Sequence, residues 1–244
     1  MSQQPFQFKK FKVHQDRCAM KIGTDGVLLG AWSSIEHEPK SILDIGAGTG
    51  VIALQLAQRS SASTIDAIEI DDQAHEQCTH NFEHSDWADR LFCYHASVQE
   101  FASEMEHKYD LIVSNPPFFK APKSIDAQTQ NTSQERAVAR FTDTLPFTHL
   151  VVCAAHLLSQ NGVFCTILPQ TEVASFIEIA AQNKLFISKI CTIRGTKTSK
   201  IKRCMLAFST RQSKPKTQEL TIEISRHNYT QEYKNLVSDF YVKM

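Results

Sequence analysis

The chain has 244 residues, with 26 basic and 26 acidic side chains, and 42% of its residues are hydrophobic. This composition excludes disordered, collagen-like and low-complexity proteins, and the length is ample for one α/β domain. The polar, basic N-terminus has no apolar signal core, and no run approaches the roughly 18 apolar residues of a membrane span. Seven cysteines without a C-x-x-C pair indicate a reducing compartment. We therefore expect a cytoplasmic protein with no membrane association and, from ligand spacing, no metal site.

Apolar runs alternate with segments of helical spacing along the chain. Strands are predicted at residues 41–45, 64–70, 91–95, 109–114, 163–168, 185–193 and 201–208. Helices are predicted at residues 51–58, 72–84, 98–107, 143–159 and 172–182. This alternation is typical of βαβ units with a largely parallel sheet. The connection at 194–200 is too short for a parallel crossover, so the last two strands should form an antiparallel hairpin.

The predicted fold class is therefore α/β, with a single Rossmann-like domain and a seven-stranded, mostly parallel sheet that ends in an antiparallel hairpin. We expect residues 1–244 to form this one domain. Within it, residues 1–40 would be an N-terminal extension or lid, 41–209 the core and 210–244 a C-terminal extension. The polar, proline-containing stretch at 115–141 is predicted to be a long loop, and such loops are usually functional or mobile.

A glycine-rich turn follows the first predicted strand, with Gly46, Gly48 and Gly50 in a G-x-G-x-G pattern. Such glycines let the backbone approach a ligand, and the next helix directs N–H groups at it. Asp44 precedes them, and its carboxylate suits a cationic or zwitterionic ligand better than a pyrophosphate. Glu69 ends the next strand, where a carboxylate accepts hydrogen bonds from both ribose hydroxyls. Together these residues resemble the S-adenosylmethionine site of Rossmann-like methyltransferases.

Alternatives to this interpretation stay open. A tight turn without a ligand would have the same glycine spacing, and Asp44 could serve only as a helix cap. Asp66 and Asp71 are weaker candidates than Glu69 for the ribose contact, because Glu69 closes the strand.

A second motif, Asn115-Pro116-Pro117-Phe118, directly follows the fourth predicted strand, at a strand end where open α/β sheets bind ligands. The Asn115 side-chain oxygen and the Pro116 carbonyl could both accept from an exocyclic NH₂ group, and Phe118 could stack on the attached ring. The motif resembles the N-P-P-[FYW] signature of methyltransferases that act on planar amino nitrogens. The alternative is a proline-rich turn with a buried Phe118.

Residues 11–32 carry a further resemblance, reading F-x-V-x-Q-x-x-C-A-M-K-x-G-T-D-G-x-L-L-G-A-W. This run, with the C-terminal residues 229–243, is similar to the bacterial valine-tRNA adenine N6-methyltransferases, which methylate adenine 37 beside the anticodon. The resemblance implies that Lys21, Thr24 and Asp25 form a lid over the methyl donor. One departure is Ser97, which stands where many such enzymes place an acid that binds the donor adenine. Ser97 either replaces that acid or only caps the next helix.

The charges are unevenly distributed along the chain. Residues 184–216 carry ten basic side chains and no acidic one, whereas residues 25–183 carry 8 basic and 21 acidic side chains. This pattern favours a polyanion bound at one edge of the protein, although a solvated charged face is the alternative. We expect the hairpin to lie at the sheet edge near Asn115 and to contact the phosphates of a tRNA anticodon loop. The predicted contact residues are Arg194, Lys197, Lys200, Lys202 and Arg203.

The leading functional prediction is S-adenosylmethionine-dependent methylation of adenine N6 in tRNA, with no obligate protein partner. A second possibility is a methyltransferase for another amino nitrogen, in rRNA guanine or adenine, DNA adenine or a glutamine amide. A third is a non-catalytic RNA-binding protein with a decayed fold, which measurable donor binding would argue against.

Overall fold

The computed structural model describes residues 4–117 and 145–243. The strands in these ranges are β1 Phe6–Gln7, β2 Lys12–Val13, β3 Ser41–Ile45, β4 Thr64–Glu69, β5 Leu91–His95, β6 Tyr109–Ser114, β7 Leu158–Pro169, β8 Phe186–Thr196, β9 Ile201–Ser209, β10 Lys216–Ser225 and β11 Asn228–Tyr229. The helices are α1 Thr24–Trp32, α2 Val51–Arg59, α3 Asp72–Glu83, α4 Val98–Glu104, α5 Phe147–Leu157, α6 Val173–Gln182 and α7 Gln231–Val237. The predicted start of the fifth helix, at Asp143, lies outside the described residues.

Nine of the described strands form one sheet in the order β11-β10-β8-β9-β7-β6-β3-β4-β5. Strands β3 to β7 pair in parallel with one another, because each returns through a helix or a long connection. Strand β9 is antiparallel to both β7 and β8, which confirms the predicted hairpin. The mostly parallel α/β class is therefore confirmed.

The sheet has more strands than predicted, and the two hairpin strands, β8 and β9, are inner strands rather than the outermost ones. Strand β10 pairs in parallel with β8, from Lys216 opposite Lys189 to Glu223 opposite Thr196, and β11 follows it. Strand β10 was not predicted although Leu220, Ile222 and Ile224 alternate with polar residues, the pattern of a strand with one apolar face, and Leu220 is its one buried residue. The seven-stranded prediction was wrong on this count.

The junction between α5 and β7 also differs from the prediction. The helix ends at Leu157 and the strand begins at once with Leu158, whereas a helix to 159 and a strand from 163 were expected. The pairing shifts from Tyr109 opposite Leu158 to Leu111 opposite Val163, so β7 carries a large bulge. The Asn-Gly pair at 161–162, a common loop signal, lies within this bulge.

Two apolar layers cover the sheet, one packed around α1 and α2 and the other around α4, α5 and α6. All five residues of β3 are buried, as expected for a central parallel strand. The carboxyl ends of β3, β4 and β6 consequently meet at one edge of the sheet, where the glycine turn, Glu69 and Asn115 lie. No helix within residues 4–117 and 145–243 is long and apolar enough to cross a membrane.

The N-terminal segment is fastened along α3. His14 and Asn81 exchange two hydrogen bonds, each 2.9 Å long, between the His14 backbone and the Asn81 side-chain amide. The Arg17 backbone N–H donates to Gln77 Oε1 at 3.2 Å. These contacts direct the chain to α1, which packs closely on α2 through Gly30 and brings its first turn to the carboxyl edge of the sheet.

Candidate active site

The glycine turn has the backbone conformation that its sequence predicts. Gly46 and Gly48 have positive φ angles of 73° and 56°, which favour glycine, and a Cβ on either would meet nothing within 4 Å. Gly50 precedes α2, and a Cβ there would collide with the side chains of Phe82 and Cys78. Gly50 is thus required for packing, whereas Gly46 and Gly48 border open space at the N-terminus of α2.

Glu69 connects the glycine turn to the end of β4. Its Oε2 accepts from the Gly48 backbone N–H at 2.8 Å, and its Oε1 accepts from the backbone N–H groups of Ile70 at 2.8 Å and Asp71 at 3.0 Å. The carboxylate therefore lies beside the open turn, as its position at the strand end predicts.

Asp66 and Asp71, the two weaker candidates for the ribose contact, have structural partners of their own. Asp66 Oδ2 accepts from the Tyr109 hydroxyl at 2.5 Å, and burial raises the pKa of Asp66. Asp71 Oδ1 accepts from the Ala74 backbone N–H at 2.8 Å and caps α3. Of the three acids, Glu69 is the one whose side chain contacts the glycine turn.

Asp44 is fully buried at the end of β3. Its Oδ2 accepts from the Ala53 backbone N–H at 3.2 Å, so it does contact the first turn of α2, as the capping alternative proposed. Its Oδ1 has no hydrogen-bond partner among the described residues. Burial, aided by the negative charge of Glu69, raises the pKa of Asp44 to about 7. A cationic ligand group would offset this burial and restore the carboxylate.

Asn115 follows β6 directly, and its Oδ1 atom is buried without a hydrogen-bond partner in the described parts of the chain. A Cβ placed on Gly26 would lie 3.9 Å from Asn115 Nδ2, so the first turn of α1 borders this side chain. Pro116 is buried next to it. Unpartnered buried acceptors are rare, and this one marks a position where a ligand could donate a hydrogen bond. Phe118 lies outside the described residues, so its stacking role stays a prediction.

The predicted lid residues surround the start of α1. Lys21 and Thr24 are exposed, and Thr24 is the first residue of the helix. Asp25, in the first turn, forms an ion pair with Arg203, whose Nε lies 2.8 Å from Asp25 Oδ2. Arg203, which was predicted to contact phosphate, therefore lies against the first turn of α1, and its contact with phosphate stays a prediction.

Ser97 caps α4, the second of the two roles left open for it. Its Oγ accepts from the Glu100 backbone N–H at 3.2 Å and donates to Glu100 Oε2 at 2.7 Å, and the Ser97 backbone N–H also donates to Glu100. This is a complete capping box. A contact between Ser97 and the donor adenine stays a prediction.

The basic residues of the β8–β9 hairpin differ in their surroundings, because one of them pairs with an acid on the neighbouring strand β10. Lys197, Lys200 and Lys202 are exposed at or beside the β8–β9 turn. Arg194 instead pairs with Glu219 on β10, with Nε–Oε1 at 3.0 Å and Nη2–Oε2 at 3.1 Å. The basic run contains no acid in sequence, but the fold brings two to it from outside the run, Glu219 to Arg194 and Asp25 to Arg203.

Cys18 had no predicted role in the site. The structure places it within electrostatic range of Glu69 and Asp71. Burial, with the carboxylates of Glu69 and Asp71 nearby, raises the pKa of Cys18 to about 12. Its thiol therefore stays neutral and serves as packing rather than as a nucleophile. The only sequence signal was its place in the run that also contains Lys21. Among the described residues, no cluster of His, Cys, Asp or Glu is arranged to hold a metal ion.

Solved structures share this architecture. A predicted O-methyltransferase from Agrobacterium tumefaciens superimposes with a TM-score of 0.68 at 17% identity, covering 88% of this chain and 96% of that one. A ribosomal protein L11 methylase from Lactobacillus delbrueckii gives a TM-score of 0.52 at 16% identity, with 77% of each chain covered. At these identities the likeness shows the fold alone, which is the predicted Rossmann-like methyltransferase fold.

Sequence relatives define the family. The Methyltransferase small domain profile matches residues 23–144, which include Thr24 and Asp25, the glycine turn and Asn115. The tRNA1(Val) (adenine(37)-N6)-methyltransferase of Christiangramia forsetii is 56% identical over the full length of both chains. This chain belongs to that methyltransferase family. The enzyme of the same name from Flavobacterium psychrophilum is 52% identical, covering 98% of this chain and all of the relative. Family membership confirms the resemblance carried by residues 11–32.

Proposed function

We propose that this chain transfers a methyl group from S-adenosylmethionine to N6 of adenine 37 in tRNA1(Val). The observation that carries the proposal is the Oδ1 of Asn115, which is buried without a partner among the described residues and lies beside the first turn of α1. Relatives that match the whole chain at 52–56% identity bear the name of this activity.

The donor side of the site fits S-adenosylmethionine. Asp44 Oδ1 is a buried acceptor without a partner among the described residues, and Gly46 and Gly48 leave open space beside it. Glu69 provides carboxylate oxygens suited to ribose hydroxyls at the neighbouring strand end. We propose that Asp44 attracts the positive charge of the donor, while Lys21, Thr24 and Asp25 cover it. When bound, the donor supplies an activated methyl group on its sulfonium.

On the acceptor side, the residues of this chain would orient an amine. The Asn115 side-chain oxygen and the Pro116 carbonyl are proposed to accept the two hydrogens of the adenine amino group. These contacts would localise the nitrogen lone pair, which is otherwise delocalised into the ring, and direct it at the methyl group. Catalysis then depends mainly on positioning and exclusion of water, so no strong general base is required. Phe118 is proposed to stack on the adenine ring.

The RNA is proposed to bind along the exposed lysines of the β8–β9 turn. Strand β8 runs parallel to β10 and antiparallel to β9, and Arg203 near the start of β9 lies opposite Pro169 at the end of β7. The β8–β9 turn therefore lies at the same end of the sheet as Asn115. An anticodon-loop adenine leaves its stack more easily than a paired base, at a cost of a few kcal/mol. Contacts to phosphate would set the register of the loop without reading its sequence.

We further propose that the chain acts as a single domain in the cytoplasm, where its tRNA substrate is found, without an obligate protein partner. In this proposal residues 1–40 serve as the lid, 41–209 as the core and 210–244 as an extension that widens the sheet.

The decisive experiment compares tRNA from a strain that lacks this gene with tRNA from the same strain after complementation. Mass spectrometry of digested tRNA1(Val) should show that N6-methyladenosine at position 37 is lost and then restored. In vitro, purified enzyme and donor should methylate the unmodified transcript but not one with guanine at position 37. Normal modification in the deletion strain would contradict the proposal. Transfer to rRNA or to a glutamine amide instead would redirect it, and RNA binding without donor binding or transfer would favour a non-catalytic role.

A further inference from the structure

An ion pair connects two segments of the protein that are 178 residues apart in sequence. Arg203 Nε lies 2.8 Å from Asp25 Oδ2, and the two side chains are only 35% and 29% exposed. Partial burial lowers the screening by water, and the directional guanidinium N–H group restricts where the carboxylate can point. The pair is therefore better suited to fixing a geometry than an exposed surface pair would be.

The turn that carries Asp25 borders both halves of the site. A Cβ on the adjacent Gly26 would lie 3.5 Å from Val51 Cγ1, at the start of α2, and 3.9 Å from Asn115 Nδ2. A displacement of the first turn of α1 would therefore change the packing of the glycine turn that precedes α2 and the position of the Asn115 side chain.

Arg203 differs from its lysine neighbours in its surroundings. It pairs in the sheet with Pro169 on β7 and Ile193 on β8, and its side chain is directed to α1. Lys202 precedes it on the same strand but is exposed, because successive residues of a strand face opposite sides. The sheet thus separates the basic hairpin into lysines that face solvent and an arginine that faces the lid.

We propose that Arg203 is a positioning residue of the donor site, which holds the carboxylate of Asp25 and the first turn of α1 in place, and that it is not a phosphate contact. The inference rests on the proposed function only in taking S-adenosylmethionine as the donor. Loss of Arg203 leaves Asp25 free to turn toward solvent, so the lid must be ordered again each time the donor binds.

The test separates donor binding from RNA binding. Calorimetry with S-adenosylmethionine, in the absence of RNA, should show that Arg203→Ala raises the donor dissociation constant about tenfold. The tRNA dissociation constant, measured at several salt concentrations, should keep its wild-type log–log slope. Lys202→Ala provides the contrast, with a slope flatter by about 0.7–0.9. Arg211→Ala, which removes an exposed arginine after the far end of β9, is the matched control for loss of charge.

A double-mutant cycle shows whether Arg203 acts through Asp25. In an Asp25→Ala background, Arg203→Ala should have no further effect on donor affinity, whereas a general loss of stability would lower it again. If Arg203→Ala does not fold, Arg203→Gln takes its place in the same cycle.

Unchanged donor affinity together with a flatter tRNA salt slope would overturn the proposal and return Arg203 to the phosphate contacts. Additive effects of the two substitutions would also overturn it. If the wild-type protein bound the donor but did not methylate tRNA, the proposed function would fail while this coupling remained measurable.

Discussion

Glu69 Oε2 accepts a hydrogen bond from the backbone N–H of Gly48 at 2.8 Å, which ties the end of β4 to the glycine turn after β3. The other carboxylate oxygen accepts from two backbone N–H groups of its own loop. Glu69 therefore shapes the turn even before it meets a ligand, and its orientation is fixed in advance for the ribose contact proposed for it.

Replacing Glu69 with Ala should weaken S-adenosylmethionine binding by about 1.5–3 kcal/mol, the usual value of hydrogen bonds to a charged group. Calorimetry measures this directly. Asp71→Ala is the control, since it removes the cap of α3 and should cost about 1 kcal/mol of stability without changing donor affinity. If Glu69→Ala bound the donor normally, the ribose contact would have to be reassigned.

Donor binding should depend on pH through Asp44, whose pKa burial raises to about 7. A positively charged donor beside the carboxylate would lower this pKa, so binding should release a proton below about pH 7. Donor affinity should therefore rise as the pH increases to about 7 and then level off. Calorimetry in buffers of different ionisation enthalpy detects the released proton, and Asp44→Asn should abolish it. Binding without proton release in the wild type would contradict the assignment.

The same raised pKa has a consequence for folding. Asp44 contributes to stability fully below its unfolded pKa of about 4, and the contribution is lost as the pH rises toward 7. In urea unfolding without donor, Asp44→Asn should therefore gain stability relative to wild type between pH 4 and 7. A difference that stays constant across this range would show that Asp44 is not protonated when buried.

Replacing Asn115 with Ala should preserve the fold and donor affinity but lower turnover at least tenfold, about 1.4 kcal/mol of barrier. The reason is that its unpartnered Oδ1 is proposed to act on the reacting amine rather than on the donor. Ser114→Ala is the matched control, because among the described residues the Ser114 Oγ has one hydrogen bond, which it donates to the Ile45 carbonyl. Single-turnover kinetics at saturating tRNA measures the effect. Turnover within about twofold of wild type would rule out the amine-orienting role.

Replacing Lys197, Lys200 and Lys202 together with Ala should raise the tRNA dissociation constant and flatten its salt dependence by about 0.7–0.9 in log–log slope per contact. Donor affinity should stay the same. The matched control also replaces three lysines with Ala, at Lys184 just before β8 and at Lys214 and Lys216 around the start of β10. It removes the same charge at the opposite end of β8 and β10. If both triple variants behaved alike, the hairpin would be a solvated face, and Lys9–Lys12 would become the better candidate.

The geometry of the candidate site was predictable where it resides in short contiguous motifs. Gly46 and Gly48 require positive φ angles in this turn, so their spacing alone indicates the backbone conformation. Glu69 and Asn115 each lie at the end of a buried strand, and the carboxyl ends of parallel strands meet at one edge of the sheet. The parallel direction of the strands therefore places both residues at the same edge.

Pairings between distant segments were not predictable in this way. Sequence pattern reports which face of an element is buried, but it does not report which element covers that face. The alternation of Leu220, Ile222 and Ile224 indicates a strand in β10, but it does not indicate that this strand lies beside β8 or that Glu219 pairs with Arg194. For the same reason Arg203 looked like one more base of a phosphate-binding run.

The amino-acid sequence by itself therefore determined the class of fold, the glycine turn after β3 and the position of Asn115 after β6, because each depends on local backbone preferences and on the direction of the strands. The tertiary structure alone decided the width of the sheet, the division of the basic hairpin and the partner of Asp25. Those features depend on which side chains meet when they are 25 or more positions apart in sequence, as in the Arg194–Glu219 and Arg203–Asp25 pairs. Such contacts are selected by packing of the whole domain and leave no periodic trace in the sequence.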